Sequence, residues 1–198
     1  MKELWIALLV VVLATPAMMA KAKKKAPRSE RERLTERIEK TRKRLAEVSV
    51  DQAPARELEK SALAYLAGAE RRIAEEWYSQ ADGLSKAADA LTRAVDHIRH
   101  SLDPSRTGYP AREDQSRRLE QAYFRLQQAD YFQVQSKDAR ARPLVRAARQ
   151  FYQRARQAWD RGDSRSTDEF TKVTEDIVKA LEHLAHTATP VPVPPRLK

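Results

Sequence analysis

The sequence predicts an all-α fold, an antiparallel bundle of about six helices, and three observations carry that prediction. From Arg28 onward apolar residues recur at helical spacing, without the alternation of a half-buried strand. Only four glycines occur among 198 residues, too few for the tight turns and phosphate-cradling loops of most α/β enzymes. Long stretches are written in Ala, Leu, Arg, Glu, Gln and Lys, which lose least on entering a helix. A hydrophobic share of 41% against 33% charged residues places the chain among globular proteins with a modest core.

In chain order, the first segment is "MKELWIALLVVVLATPAMMA". Lys2 precedes an apolar run from Leu4 to Ala14, Pro16 breaks it, and small residues follow, which is the layout of a secretory signal peptide over 1–20. The alternative is an uncleaved anchor. "KAKKK" (21–25) sets more positive charge after the run than before it, which would hold the following domain in the cytoplasm. The run is short for a membrane span, and this favours export to the periplasm or medium. No cysteine occurs, so the fold has no disulfide or zinc-thiolate site and rests on apolar packing.

The formal net charge is +10, and most of it lies at one end. Residues 21–48 hold twelve Lys/Arg against five Glu, while 49–195 carry a balance of only +1. A basic linker over 21–28 is therefore expected, with Lys21, Lys23, Lys24, Lys25 and Arg28 as candidates for binding an anionic envelope surface. Such attraction amounts to about 1 kcal/mol per charge near an anionic membrane. Nucleic acid becomes the candidate only for a cytoplasmic chain. The plainer reading of the arm is a solvated spacer.

Helices are predicted over 29–48, 55–79, 82–102, 112–136, 141–161 and 165–187. They are separated by "SVDQAPA" (49–55), a break near 80 beside Gly83, "SLDPSRTGYPA" (101–111) and "RGDS" (161–164). Asp163 or Ser164 is positioned to cap the last helix. Sliding the chain by 86 residues brings Leu58, Tyr65, Leu91 and Ile98 onto Leu144, Phe151, Ile177 and Leu184. Ile38, Leu45 and Val48 then fall on Phe124, Tyr131 and Val134. This predicts two copies of a three-helix unit, 29–102 and 112–187, joined by the linker 103–111. Around "RAARQFYQRARQAWDRGD" (146–163) the spacing of Tyr, Ala, Gly and Asp resembles one helix of a tetratricopeptide repeat, a resemblance that implies helix packing and no function. The tail over 188–198, with "PVPVPPRLK", is expected to be extended and polyproline-like.

Two further patterns concern the surface. The aromatic pairs at 123–124, 131–132 and 151–152 each place one ring inward and one near the boundary. The rings are either core with an amphipathic rim or a partner groove completed by Trp77 or Trp159. Arginines of the fifth helix (142, 146, 149, 154, 156 and 161) and acids of the sixth (168, 169, 175, 176 and 182) are expected to pair across the two helices.

All four histidines sit in two matching stretches, "VDHIRHSL" (95–102) and "LEHLAHTA" (181–188). His97 with His100, and His183 with His186, are three apart on one helical turn. Either pair suits Zn²⁺, Cu²⁺ or Ni²⁺, with Asp96 or Glu182 as an oxygen donor, and the two pairs together would make a four-histidine site. The alternative is one helix end built twice, where donors and positive charge satisfy unpaired carbonyls. No nucleophile motif, glycine loop or H-E-x-x-H is present. The expected function is therefore that of a non-enzymatic structural or interaction module with a protein or anionic-surface partner, with metal binding as the alternative.

Overall fold

In the computed structural model, residues 29–188 are described, and their regular structure is entirely helical. Helix α1 (Glu30–Val48) begins on a reciprocal cap: Ser29 Oγ accepts from the Glu32 amide at 3.2 Å, and Glu32 Oε2 accepts from the Ser29 amide at 3.1 Å. Helix α2 (Ala53–Ala74) carries Pro54 in its first turn, where the missing N–H costs nothing. Helix α3 (Tyr78–Leu102) is followed by the Pro/Gly linker, then α4 (Arg112–Ser136) and α5 (Ala141–Asp160). Helix α6 (Ser164–Ala188) is capped by Asp163, whose Oδ1 accepts from the Ser166 amide at 3.0 Å. No helix among the described residues is long and apolar enough to cross a membrane. The predicted leader, the basic arm and the tail beyond Ala188 lie outside the described residues.

One break differs from expectation. The turn between α2 and α3 lies at Glu75–Trp77, where Glu76 adopts a left-handed φ of 62° and the Trp77 amide donates to the Arg72 carbonyl at 2.8 Å. The sequence places the break near 80, beside Gly83; Gly83 is an interior residue of α3, as the predicted span 82–102 has it.

Helices α1, α2 and α3 run up, down and up, and α4, α5 and α6 run down, up and down. The centre is the contact between α3 and α6, the most extensive of the helix pairs. These two helices lie antiparallel, because His97 near the end of α3 meets Glu169 near the start of α6 while Gly83 near the start of α3 meets His183 near the end of α6. The seam is filled by Leu91, Val95 and Ile98 against Val173, Ile177 and Leu181, all buried. Small residues between them (Ala87, Ala88, Ala94 and Ala180) let the backbones approach.

The match by 86 residues fails in the first helix of each trio. Ile38, Leu45 and Val48 are buried, but Phe124, Tyr131 and Val134 are 68%, 63% and 68% exposed. The buried set of α1 (Leu34, Ile38, Thr41, Leu45, Val48) instead falls on that of α4 (Gln115, Leu119, Ala122, Leu126, Ala129) after a shift of 81. The five extra residues lie in the C-terminal part of α4, and five residues turn a helix by about 140° beyond a full revolution. An apolar pattern carried across that insertion points outward.

Candidate functional site

Two places on the bundle hold unusual chemistry. The first is the end where α3, the linker and α6 converge. His97 projects from the penultimate turn of α3, and its Nδ1 lies 2.7 Å from Glu169 Oε2 on α6. His97 Nε2 faces Asp176 Oδ2 at 3.7 Å. One turn on, His100 Nε2 faces Asp96 Oδ1 at 3.5 Å, while its Nδ1 is buried with no hydrogen-bond partner. One nitrogen from each imidazole and one oxygen of Glu169 lie within 4.8 Å of one another. The site is therefore a mixed His–His–carboxylate set, and its acid comes from a residue 72 positions from His97.

Charges are balanced around this set. The side chain of Glu169 is only 1% exposed, and its other oxygen, Oε1, is approached by Lys172 at 3.7 Å and Arg106 at 3.8 Å. Burial pushes its carboxyl up, but the His97 hydrogen bond and the nearby cations outweigh this and hold it below the usual carboxylate range. Burial holds His100 below the ordinary imidazole value, with Arg106 and Arg99 assisting against Asp96 and Glu169. Both groups thus favour the forms that can donate electron pairs, a neutral ring and an ionised carboxylate. The Tyr109 hydroxyl and Arg165 Nε are likewise buried without partners. Arg165 also donates to the Asp103 carbonyl of the linker at 2.9 Å.

The second histidine pair does not join this site. Glu169 is level with His97, and His183 lies fourteen residues further along α6, about 21 Å away at the helical rise. There α6 passes Gly83, a residue without a side chain to offer, and His186 is exposed. The two pairs are not brought together, because the antiparallel packing of α3 on α6 sends equal helix ends to opposite poles. His100 and His97 are exposed to the same degree, their side chains 20% and 22% accessible.

Comparison with known protein families, characterised proteins and solved structures finds no match. Function must therefore be argued from the site alone.

The second place is the outer face of α4. Phe124, Tyr131 and Val134 form a stripe on it, and Tyr123 turns toward α5, its ring 5.8 Å from that of Tyr152. Tyr123, Phe124, Tyr152 and Trp159 line a cleft of about 370 Å³ between the two helices. Arg112 lies over the Trp159 ring at 4.6 Å. Trp77, the other candidate for such a groove, sits apart on the α2–α3 turn under Arg72.

The expected pairing of α5 arginines with α6 acids is also corrected. Among the described residues no ion pair joins these helices. Asp168 pairs with Arg118 of α4 at 2.8 Å and Lys172 at 2.7 Å, Asp176 with Arg93 of α3 at 3.0 Å, and Arg149 of α5 with Asp130 of α4 at 2.5 Å. Helix α6 is the central element, and its acids face α3 and α4.

Proposed function

We propose that this chain is an exported, non-enzymatic helical-bundle protein that acts as an interaction module, held near an anionic envelope surface by its basic arm. We read the bundle as two copies of a three-helix unit. Support comes from the alternating helix direction within each trio and from one ion-pair pattern present twice, Arg37–Asp82–Lys86 and Arg118–Asp168–Lys172. The second copy differs in α4, where the shift of 81 puts Phe124 at the outward position that Lys43 holds in α1, and Tyr131 and Val134 follow beyond the matched set.

The observation that carries the reading is that stripe. Large apolar side chains left exposed along one face of an otherwise polar helix support an interaction surface. Phe124, Tyr131 and Val134 stand seven and three residues apart, the spacing that receives an amphipathic partner helix. Arg125 and Asp130 flank it with both signs of charge, as a polar rim would. The occupant is therefore a helix of a partner protein with apolar residues at three- and four-residue spacing. The non-enzymatic reading rests on the sequence, which offers no nucleophile motif or glycine loop.

The test is site-specific photocrosslinking in the native cell with the reactive residue at Gln127, inside the stripe. The expected result is an adduct mapped to an amphipathic helical segment, lost in Phe124→Ser/Tyr131→Ser. An adduct with no helical segment, or one that survives the double substitution, overturns the reading. For the arm, deletion of 21–28 should abolish salt-sensitive binding to anionic vesicles with the melting temperature unchanged; retained binding removes the arm as the attachment point.

A further inference from the structure

We infer that His97, His100 and Glu169 form a binding site for one divalent transition-metal ion of the Zn²⁺ class, a property independent of the partner-binding face. The argument is the orientation of the two rings. In protein metal sites a ligating imidazole presents one nitrogen to the ion and directs its other N–H at a carboxylate, which fixes ring and tautomer. His97 comes near this arrangement, with Nδ1 on Glu169 at 2.7 Å and Nε2 facing Asp176 at 3.7 Å. His100 Nε2 lies between Asp96 at 3.5 Å and Arg99 at 3.4 Å, and its buried Nδ1 has no hydrogen-bond partner. The Asp176 carboxylate behind His97 and the unpartnered Nδ1 of His100 are what a plain helix end would not need.

The remaining geometry fits the same ion. Tetrahedral Zn²⁺ with bonds of about 2.0–2.1 Å needs donor atoms roughly 3.3 Å apart. The three donors already lie within 4.8 Å, so side-chain rotation closes the gap without moving either helix. Arg106 and Lys172 approach Oε1 of Glu169 and leave Oε2 to the histidines. On binding, the His97 ring proton leaves Nδ1 and is carried on Nε2 opposite Asp176. Two nitrogens and one oxygen leave a fourth position open to water or to a donor from outside, the pattern of an accessible site more than of a closed structural one. Copper and nickel suit the same donors, and magnesium or calcium do not.

The protein contains its own control. His183 and His186 repeat the spacing, but Gly83 stands where the second pair would need its acid. Isothermal titration of the full chain, without a histidine tag, with ZnCl₂ should give one ion per chain. His97→Gln, His100→Gln and Glu169→Gln should each weaken binding at least about tenfold, as should Asp176→Asn, a loss typical of partners behind a ligand. The double variant His183→Gln/His186→Gln should bind as the parent does. His100 lies at the rim of the bundle, so His100→Gln keeps the test valid should Glu169→Gln fail to fold. Absence of Zn²⁺ binding by the parent, undiminished binding by His100→Gln, or loss of binding in the His183/His186 variant overturns the assignment.

Discussion

Gly83 lies against the main chain of His183 where α3 crosses the end of α6. A β-carbon at position 83 would clash with Thr187 Cγ2 and meet the His183 carbonyl oxygen at 3.3 Å. Glycine inside a helix ordinarily costs up to about 1 kcal/mol relative to alanine, so Gly83→Ala would stabilise a free helix. Here overpacking of about 1–3 kcal/mol outweighs that gain. Gly83→Ala should lower stability by about 1 kcal/mol in denaturant unfolding. Thr187→Ser removes the obstructing methyl group but keeps the hydroxyl that donates to the Leu184 carbonyl at 2.6 Å. In that background the cost should fall by about half, and an unchanged cost would place the strain on the main-chain contact alone.

The outward turn of the α4 aromatics has an equally direct check. Leu119 is buried and Phe124 is exposed, although the shift of 86 residues assigns the core position to Phe124. Leu119→Ala should cost about 2–4 kcal/mol through lost burial and a cavity. Phe124→Ala should stay within about 0.5 kcal/mol. The reverse order would show that α4 is rotated by the 140° that separates the two registers.

Acid titration separates two groups by pH window. Burial holds His183 below its ordinary value of 6.5, with Lys86, Lys179 and His186 adding to it against Glu182. The unfolded chain then takes up this proton first, so stability is full above about 6.5 and falls as pH drops toward the folded value. His183→Gln should flatten that slope. Asp82 acts lower on the scale. Burial pushes its carboxyl up, but Lys86 and Arg37 outweigh this and hold it below its ordinary value of 3.8. Its contribution is present above that value and lost as pH falls through the folded one. Asp82→Asn should cost about 1 kcal/mol at neutral pH, as befits partly exposed pairs, and the difference should vanish in strong acid.

Most of the helices were legible because their signals are local. The Pro, Gly, Asp and Ser of the breaks at 49–55, 101–111 and 161–164, and Asp163 as the cap of α6, are short-range chemistry that survives without tertiary information. The α2–α3 turn was hidden for the same reason. It is made by Glu76 in a left-handed conformation, which no composition rule flags, while Gly83 drew attention and proved to serve close packing. Half of the histidine site was visible as H-x-x-H, but Glu169 was one acid among several on α6. Only the antiparallel meeting of α3 and α6 selects it, as it separates the second pair. The burial of α4 was misread because a gapless shift holds from α2 to α3 and fails across five added residues.

Tyr65 offers the last test. It occupies the position that Phe151 fills 86 residues later, is fully buried, and has a hydroxyl with no hydrogen-bond partner among the described residues. Arg140 lies over its ring at 4.6 Å, so the ring is held by packing and cation–π attraction and not through its oxygen. An unsatisfied buried hydroxyl carries a desolvation cost of about 1–3 kcal/mol, part of which is recovered on removal. Tyr65→Phe should therefore leave stability unchanged or raise it by up to about 1 kcal/mol. Burial also drives its phenol above the ordinary tyrosine range, Asp138 adding to this and Arg140 opposing it. Burial raises the phenols of Tyr109 and Tyr152 as well, so among the six tyrosines these and Tyr65 should ionise late in alkaline absorbance titration, and Tyr65→Phe should remove one phenol from that late step. A loss of more than about 1 kcal/mol, or a titration unaltered by the substitution, would mean that the hydroxyl is bonded or exposed after all.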